Sequence, residues 1–382
     1  MQIEQQYWTA ADGWQPVGRS GCGGLNGTAQ LLLLFGAGRL LSDAAAMRDV
    51  AARYPNAILL GCSTAGEICD SAVRDDSLSM TAVTFEHSRL QVAQTDTLDP
   101  VASYAAGEQL ARQLDPAELS HVFVLSDGLH VNGTDLARGL REHLPGNVAV
   151  TGGLAGDGDR FQQTLVVVGD SAREGRVAAL GFYGRRLKVG YGSLGGWDAF
   201  GPVRRVTRSV GNVLYELDGQ SALNLYKEYL GEQARGLPAT ALLFPLALRA
   251  TERSQMLVRT VLGVDEQAGS MTFAGDIVAG GYAQLMKANF DRLIDGAAGA
   301  AQVGLTRLGE FPVQLALLVS CVGRKLVLKQ RIEEEVEGVR QVLGEQAALA
   351  GFYSYGELCP AGELRNCELH NQTMTITAFG EL

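Results

Sequence analysis

Metal-binding and redox-active residues are scarce in this chain: its 382 residues include five histidines, six cysteines and three tryptophans. No two cysteines form a C-x-x-C pair, and Cys62/Cys69 and Cys359/Cys367 match no common zinc spacing. Six cysteines are also too few for a disulfide scaffold in a chain this long, so free buried thiols are expected. Positive charge is short as well. Lys plus Arg total 32 against 42 for Asp plus Glu, a net charge of −10, which argues against general affinity for nucleic acid or anionic lipid. Long apolar runs are missing: LLLLF at 31–35 is far too short for a bilayer. The sequence opens without a basic region followed by an apolar stretch, so a soluble cytoplasmic protein is expected.

The motifs of common enzymes are missing too. There is no G-x-x-x-x-G-K loop, no G-x-S-x-G elbow and no H-E-x-x-H pair. GYGSLG at 190–195 meets the bare dinucleotide spacing, but WDAFGPVRR follows it where a helix is required, so no nucleotide is expected there.

What the chain does have is glycine, 48 of 382 residues, and a repeated unit. An apolar strand at 31–35 leads through a Gly-rich loop to a helix over about 42–54, then to AILLGCSTAGE at 57–67. The order returns from 122–125 through a helix with Leu136, Leu140 and Leu144 on one face to VAVTGGLAGD, ending at Asp157. A third copy runs from LALLVS at 315–320 through a helix with Ile332, Val336 and Leu343 on one face to ALAGFYSYGE, ending at Glu357. Superimposing Gly66, Gly156 and Gly356 brings Glu67, Asp157 and Glu357 together, and an alternating strand follows each turn.

Strand–helix–strand units imply right-handed crossovers and an α/β fold of mixed α+β character: layered mixed sheets with outer helices, built from repeated units in two fused halves. The Gly-rich turns then gather at strand C-terminal ends, where open α/β sheets bind ligands. The expected division is an N-terminal extension at 1–29, one domain at 30–210 and a second at 211–382. The stretch 241–301 reads as a hairpin and a helix, a diverged fourth unit.

Chemistry is confined to a few residues. Cys321 and His370 could form a thiol–imidazole pair, but a buried cysteine at a strand end is the simpler reading. Glu67, Asp157 and Glu357 suit either acid–base work or holding a turn through backbone N–H bonds. His87, His121 and His143 are expected at the surface. Tyr353, Tyr355, Glu357, Asn371 and Thr373 cluster on one turn and the start of the next strand, with a few polar groups beside aromatic walls, as a small-molecule site needs. Alternatively, the tyrosines are a buried pair whose hydroxyls satisfy local backbone.

The stretch GFYSYGELCPAGELRNCELHNQTMTITAF at 351–379 resembles the C-terminal FIST domain, joining a Y-G-E turn to H-N-Q-T. LDG at 217–219, Tyr226 and Tyr229, and SCVGR at 320–324 add to it, while GCSTAGE at 61–67, SDGL at 126–129 and GGLAGD at 152–157 are similar to the N-terminal FIST domain. The resemblance implies a bacterial ligand sensor rather than an enzyme, signalling to a separate protein such as a histidine kinase. Within the family, the nitric-oxide-sensing NosP group brings in haem, with His370 or His130 as axial imidazole and Tyr353, Tyr355 or Cys321 as other axial candidates. The alternative ligand is an amino acid or related metabolite. In either case Arg324, near Cys321, is a candidate partner for a ligand carboxylate or a haem propionate, or for Glu357 as a structural bridge.

Overall fold

A computed structural model describes residues 1–17, 25, 27–237, 239–251, 256–361 and 367–382. Part of the expected N-terminal extension, Cys22, and residues 362–366 of the 351–379 stretch lie outside the described residues. The fold is mixed α+β, and its organising feature is a threefold repeat. Each unit contains two parallel strands joined by a helical crossover and a third strand that returns antiparallel to the first. In the first unit Leu31–Gly36 pairs parallel with Ile58–Ser63 and antiparallel with Leu78–Thr84. In the second, Leu119–Ser126 takes the same place between Ala149–Leu154 and Arg176–Tyr183. In the third, Leu315–Cys321 lies between Ala348–Ser354 and Met374–Glu381.

The apolar runs of the sequence become these central strands because both of their faces are covered. Every residue of Leu31–Gly36 and of Leu315–Cys321 is buried. On the inner face Phe35, Phe123, Val319, Phe352 and Phe379 from all three units share one core, with the Phe35 and Phe352 rings 4.8 Å apart. Helices cover the outer faces. Gly133–His143 starts at Asn132, whose side chain accepts from the N–H groups of Thr134 and Asp135, and Ala44–Arg53 starts at Asp43 in the same way. His121, expected at the surface, is fully buried in this core, because its strand begins earlier than the apolar run suggests. Its Nε2 meets Thr151 Oγ1 at 2.8 Å, and burial pulls its pKa down to about 3, so the ring is neutral.

Each unit also lends a hairpin to the sheet of another. After the second parallel strand of the first unit, Glu67–Cys69 pairs with Ala350–Phe352 of the third. Gly356–Cys359 of the third unit pairs with Gly152–Leu154 of the second. Val166–Val168 of the second returns to Leu60–Cys62 of the first. Three main-chain hydrogen bonds close this cycle: Ala65 N–H to Tyr353 O (2.8 Å), Gly156 N–H to Ser63 O (2.9 Å) and Tyr355 N–H to Leu154 O (3.1 Å).

The cycle corrects the alignment of the three turns. Equivalent positions are Gly61, Gly152 and Gly351, where an added Cβ would stand 1.8–1.9 Å from a carbonyl of the neighbouring parallel strand. On that register Asp157 matches Gly66, and Val166 matches Glu67 and Glu357. The second unit inserts residues before its hairpin, so its Gly-acid pair imitates the others one position out of step.

The strand preceding each unit is also repeated: Gln2–Thr9, Arg89–Asp96 and Leu187–Leu194 each pair with their unit's returning strand. Part of the stretch expected as an extension is therefore sheet. Between Leu187–Leu194 and helix Phe290–Leu308 the third unit carries an inserted eight-stranded sheet, Asp198–Val210 to Tyr282–Lys287, in which every pairing is antiparallel. Among the described residues of 241–301 there is no fourth strand–helix–strand unit, and position 211 falls at a hairpin turn inside the insertion. Among the described residues no helix is long and apolar enough to cross a membrane.

The first two glycines of GYGSLG, Gly190 and Gly192, belong to the strand Leu187–Leu194 and face helix Phe290–Leu308. A Cβ on Gly190 would stand 2.0 Å from Gly304 O, and one on Gly192 would stand 2.2 Å from Ala300 O. Two glycines spaced by two on a strand thus accept the small residues Ala300 and Gly304, spaced by four on the helix. Gly192→Ala must push the two backbones apart, so its destabilisation in urea titration should reach the upper end of the roughly 1–3 kcal/mol typical of overpacking. A loss below about 0.5 kcal/mol, the usual range for surface changes, would show that the contact is loose.

Candidate functional site

The C-terminal ends of the six parallel strands gather on one side of the molecule, as open α/β sheets arrange their ligand sites. There the loop after Leu119–Ser126 is wound around Asp127. Its carboxylate accepts the N–H groups of Leu129 (2.8 Å), His130 (2.7 Å) and Gly175 (2.9 Å). This loop and the start of helix Gly133–His143 form one wall of a cleft of about 440 Å³. Asn212, Leu262 and residues 273–276 of the inserted sheet form the other, with Leu154 and Tyr355 between them. The lining is mainly apolar, with Asn132, Asn212 and Asp276 as polar side chains, a composition suited to small organic molecules.

Phe161 guards this cleft in a costly conformation. Its φ is +52°, a region that bulky residues rarely enter. Its ring stacks on Tyr355 at 4.4 Å with 17° between the planes, yet the residue remains 45% exposed. The Tyr355 hydroxyl donates to Gly158 O at 3.1 Å, which ties the loop carrying Phe161 to the turn of the third unit. Burial pushes the Tyr355 phenol up to about 12, so it is a donor at neutral pH.

Of the residues singled out in the sequence, Tyr355 lines the cleft and the others brace its surroundings. Tyr353 is fully buried and donates to Glu335 Oε1 at 2.7 Å. Arg324 is fully buried too. It pairs with Glu335 at 2.7 Å and donates to Gly195 O and Leu293 O, fixing the strand Leu187–Leu194 and helix Phe290–Leu308 to the third unit. Glu335 carried a signal, since it falls on the buried face of its helix with Ile332, Val336 and Val339. Cys321 is buried, and burial holds its thiol well above the usual range. His370 is 4% exposed, with Nε2 3.1 Å from Cys359 O, and burial, then Arg259, pull its pKa down to about 4. His130 lies in the cleft-wall loop, its Nδ1 3.2 Å from Asp127 Oδ1 and its side chain 34% exposed. Asn371 is fully buried with both side-chain amide atoms unbonded. Phe161, Asn132, Asn212 and Asp276 carried no signal in the sequence, because the two walls come from segments far apart in the chain.

Glu67 and Glu357 occupy matching cradles. Glu67 accepts from the Thr64 hydroxyl and from the Ser77 hydroxyl and N–H. Glu357 accepts from the Ser354 hydroxyl (2.8 Å) and from the Thr373 hydroxyl (2.9 Å) and N–H (3.1 Å). Each carboxyl pins its turn to the residue that opens the returning strand. In the second unit Asp127 does this through Gly175, whereas Asp157 accepts from Arg160, Gln162 and Gln163 in its own loop.

Burial pushes Glu67 up to about 7 and Glu357 up to about 8, against the lowering effect of these bonds. A carboxyl with a raised folded pKa stabilises the fold fully below its unfolded pKa and loses that contribution as pH rises through the folded value. His121 and His370, with lowered pKa values, act oppositely and lose stability as pH falls from the ordinary histidine range toward 4 and 3. Denaturation at graded pH should therefore show stability falling between about pH 6.5 and 8, where both carboxyls ionise in the folded state and the opposing histidine contribution fades. Glu357→Gln should flatten most of that fall, and an unchanged slope would place the proton elsewhere.

Residues 30–220 match the FIST N domain and residues 222–360 the FIST C domain. No curated protein matches the chain. Among solved structures, a cyanuric acid hydrolase from A. caulinodans aligns over 94% of this chain and 91% of its own at 9% identity and a TM-score of 0.30, too low to carry any argument. The two domain matches together span most of the sequence, and the chain belongs to the FIST family, whose domains sense small ligands in signalling proteins.

Proposed function

We propose that the protein is a ligand sensor whose ligand enters the cleft between the second unit and the inserted sheet, and that occupancy changes how these walls sit against each other. The observation that carries this reading is the strained, half-exposed Phe161 stacked on Tyr355 at the mouth. Backbone strain of this kind persists where the surroundings enforce it and clusters at ligand clamps and switches. A ligand that replaces the Tyr355 face of that stack lets Phe161 move, and the loop 155–163 moves with it. The shift can be no larger than the ligand's differential affinity for the two arrangements. A separate signalling protein, a histidine kinase in this reading, responds to the new arrangement. Catalysis is not proposed, since Cys321 is buried with its thiol held in the protonated form and the acids Glu67 and Glu357 are engaged in their turns.

Haem places specific demands on the imidazole that would hold it. The ring nitrogen of His370 faces Cys359 O inside the protein, which does not fit an open axial position. His130 fits better, because Asp127 at Nδ1 leaves Nε2 for ligation, the usual arrangement around a metal-bound imidazole. Haem bound there would supply an iron able to take a diatomic gas such as nitric oxide.

Thermal melting with haemin, amino acids, aromatic acids and aromatic amides tests the cleft. At least one class should raise the melting temperature saturably, by linkage worth about 2.7 kcal/mol at a hundredfold excess over Kd. Ala274→Trp, which fills the cleft from the inserted sheet, should abolish the rise, and a full response in this variant would disprove the location. A Soret band on haemin addition that survives His370→Ala but not His130→Ala would assign the haem reading.

A further inference from the structure

Behind the cleft wall lies a buried guanidinium that pairs with no carboxylate among the described residues. Arg259, at the end of the strand Leu257–Arg259, is 4% exposed. Its Nη1 donates to Leu369 O at 2.9 Å and, weakly, to Val258 O at 3.4 Å, while Nε has no acceptor. Glu368, Asp276 and Glu357 act on it only at longer range, and burial pulls its pKa down to about 10. Leaving such a charge unpaired is among the most expensive arrangements a protein interior can hold. By contrast, the fully buried Arg324 has an acceptor for each of its three nitrogens.

Arg259 is separated from the cleft by a glycine. A Cβ on Gly275, a residue of the cleft wall, would stand 2.7 Å from Arg259 Nε. Asn371 follows two residues after Leu369, whose carbonyl accepts from Arg259. The strand Glu368–His370 ends there, and the Asn371 amide nitrogen lies 3.6 Å from where a Cβ on Gly356 would stand. Leu369 packs on Gly133 and Leu154, both of which line the cleft. Asn371 is fully buried with its amide nitrogen and oxygen unbonded, and Thr260, 6% exposed beside Arg259, has an unbonded hydroxyl. Unsatisfied buried groups are rare enough in folded proteins that an unbonded nitrogen on the guanidinium held by the Leu369 carbonyl and an unbonded amide two residues further on call for a partner.

We propose that Arg259 and Asn371 form an oxyanion receptor at the closed end of the cleft, which takes the carboxylate of a small organic acid whose planar apolar body lies against Tyr355 and Phe161. This deepens the cleft reading and rests on it. The guanidinium fork matches a carboxylate in two parallel bonds, and the Asn371 amide supplies a further donor. A monoanion suits the site better than a phosphate dianion, because Glu368 and Asp276 already act on the single positive charge. The missing side chain at Gly275 is what allows the fork to reach this position.

The test uses sodium benzoate and sodium phenylacetate, with benzamide, phenylacetamide and inorganic phosphate as controls, on the full chain. Millimolar carboxylate should raise the melting temperature saturably, whereas the amides and phosphate should not. Arg259→Met should weaken the carboxylate response about tenfold to a hundredfold, as loss of a buried charge-assisted bond does. The ligand-free variant should melt no lower than the wild type, because it has lost an unpaired buried charge. Arg259→Lys keeps the charge but not the fork and should fall between the two, and Asn371→Leu should weaken the response without altering the amide controls. Equal responses to acids and amides, no carboxylate response in the wild type, or a full response in Arg259→Met would each overturn the proposal. The two readings fail differently. Amide binding that Ala274→Trp abolishes, with no carboxylate preference, keeps the cleft and removes the receptor. Carboxylate binding lost in Arg259→Met but intact in Ala274→Trp would show that the acid reaches Arg259 by another route, and overturns both readings.

Discussion

Main-chain hydrogen bonding between units holds the whole architecture in place. Ala65, Gly156 and Tyr355 each donate to the neighbouring unit at Tyr353, Ser63 and Leu154, and each donor begins a segment that leaves its own sheet to complete another. These groups lie in the interior, where an unpaired N–H or C=O is expensive. No unit can satisfy its edge strand alone, because the strand beside Ile58–Ser63, Ala149–Leu154 or Ala348–Ser354 always comes from elsewhere in the chain. The glycines at 61, 152 and 351 let each second strand lie close against the first strand of its own unit, and the carboxyls of Glu67 and Glu357 lock the departing turn to the returning strand.

Against that frame the inserted sheet is an addition. It leaves the third unit after Leu187–Leu194 and rejoins it at helix Phe290–Leu308, so it can be present without altering the repeat. Its contact with the second unit creates the cleft, and the rigid repeat presents the strand-end loops to it. A frame fixed by backbone bonds and a module held by side-chain contacts give the molecule one stiff part and one part whose seating a ligand can change.

Much of the frame was legible in the sequence. The runs at 31–35 and 315–320 could only be strands buried on both faces, and the helix faces marked by Leu136 and Leu140 or by Val336 and Leu343 pack where their spacing places them. The exchange of hairpins was not legible, because pairing partners such as Gly152 and Leu358 are far apart in the chain and share no local pattern. The second turn was read one residue out of step because Gly156–Asp157 reproduces the composition of its counterparts without their position. For the site, aromatic and polar residues at a turn were visible, but a sequence does not tell an inward hydroxyl from one that lines a cleft. Tyr353 and Tyr355, two residues apart, fall on different sides of that divide. Arg259 lies in the loosely patterned stretch after 241, where nothing marked it as buried.

The hairpin exchange also constrains how the chain can be made. Gly152 waits for Leu358, about two hundred residues later, which at ribosomal rates of about 5–20 residues per second is a delay of roughly 10–40 s. During that interval the edge of Ala149–Leu154 has no partner in the nascent chain and is open to pairing with another molecule. Contacts of such sequence separation also slow folding after release. Molecules like this depend on being shielded while they are synthesised, and their yield in a cell should be limited by the lifetime of one unpaired strand before it is limited by the stability of the finished fold.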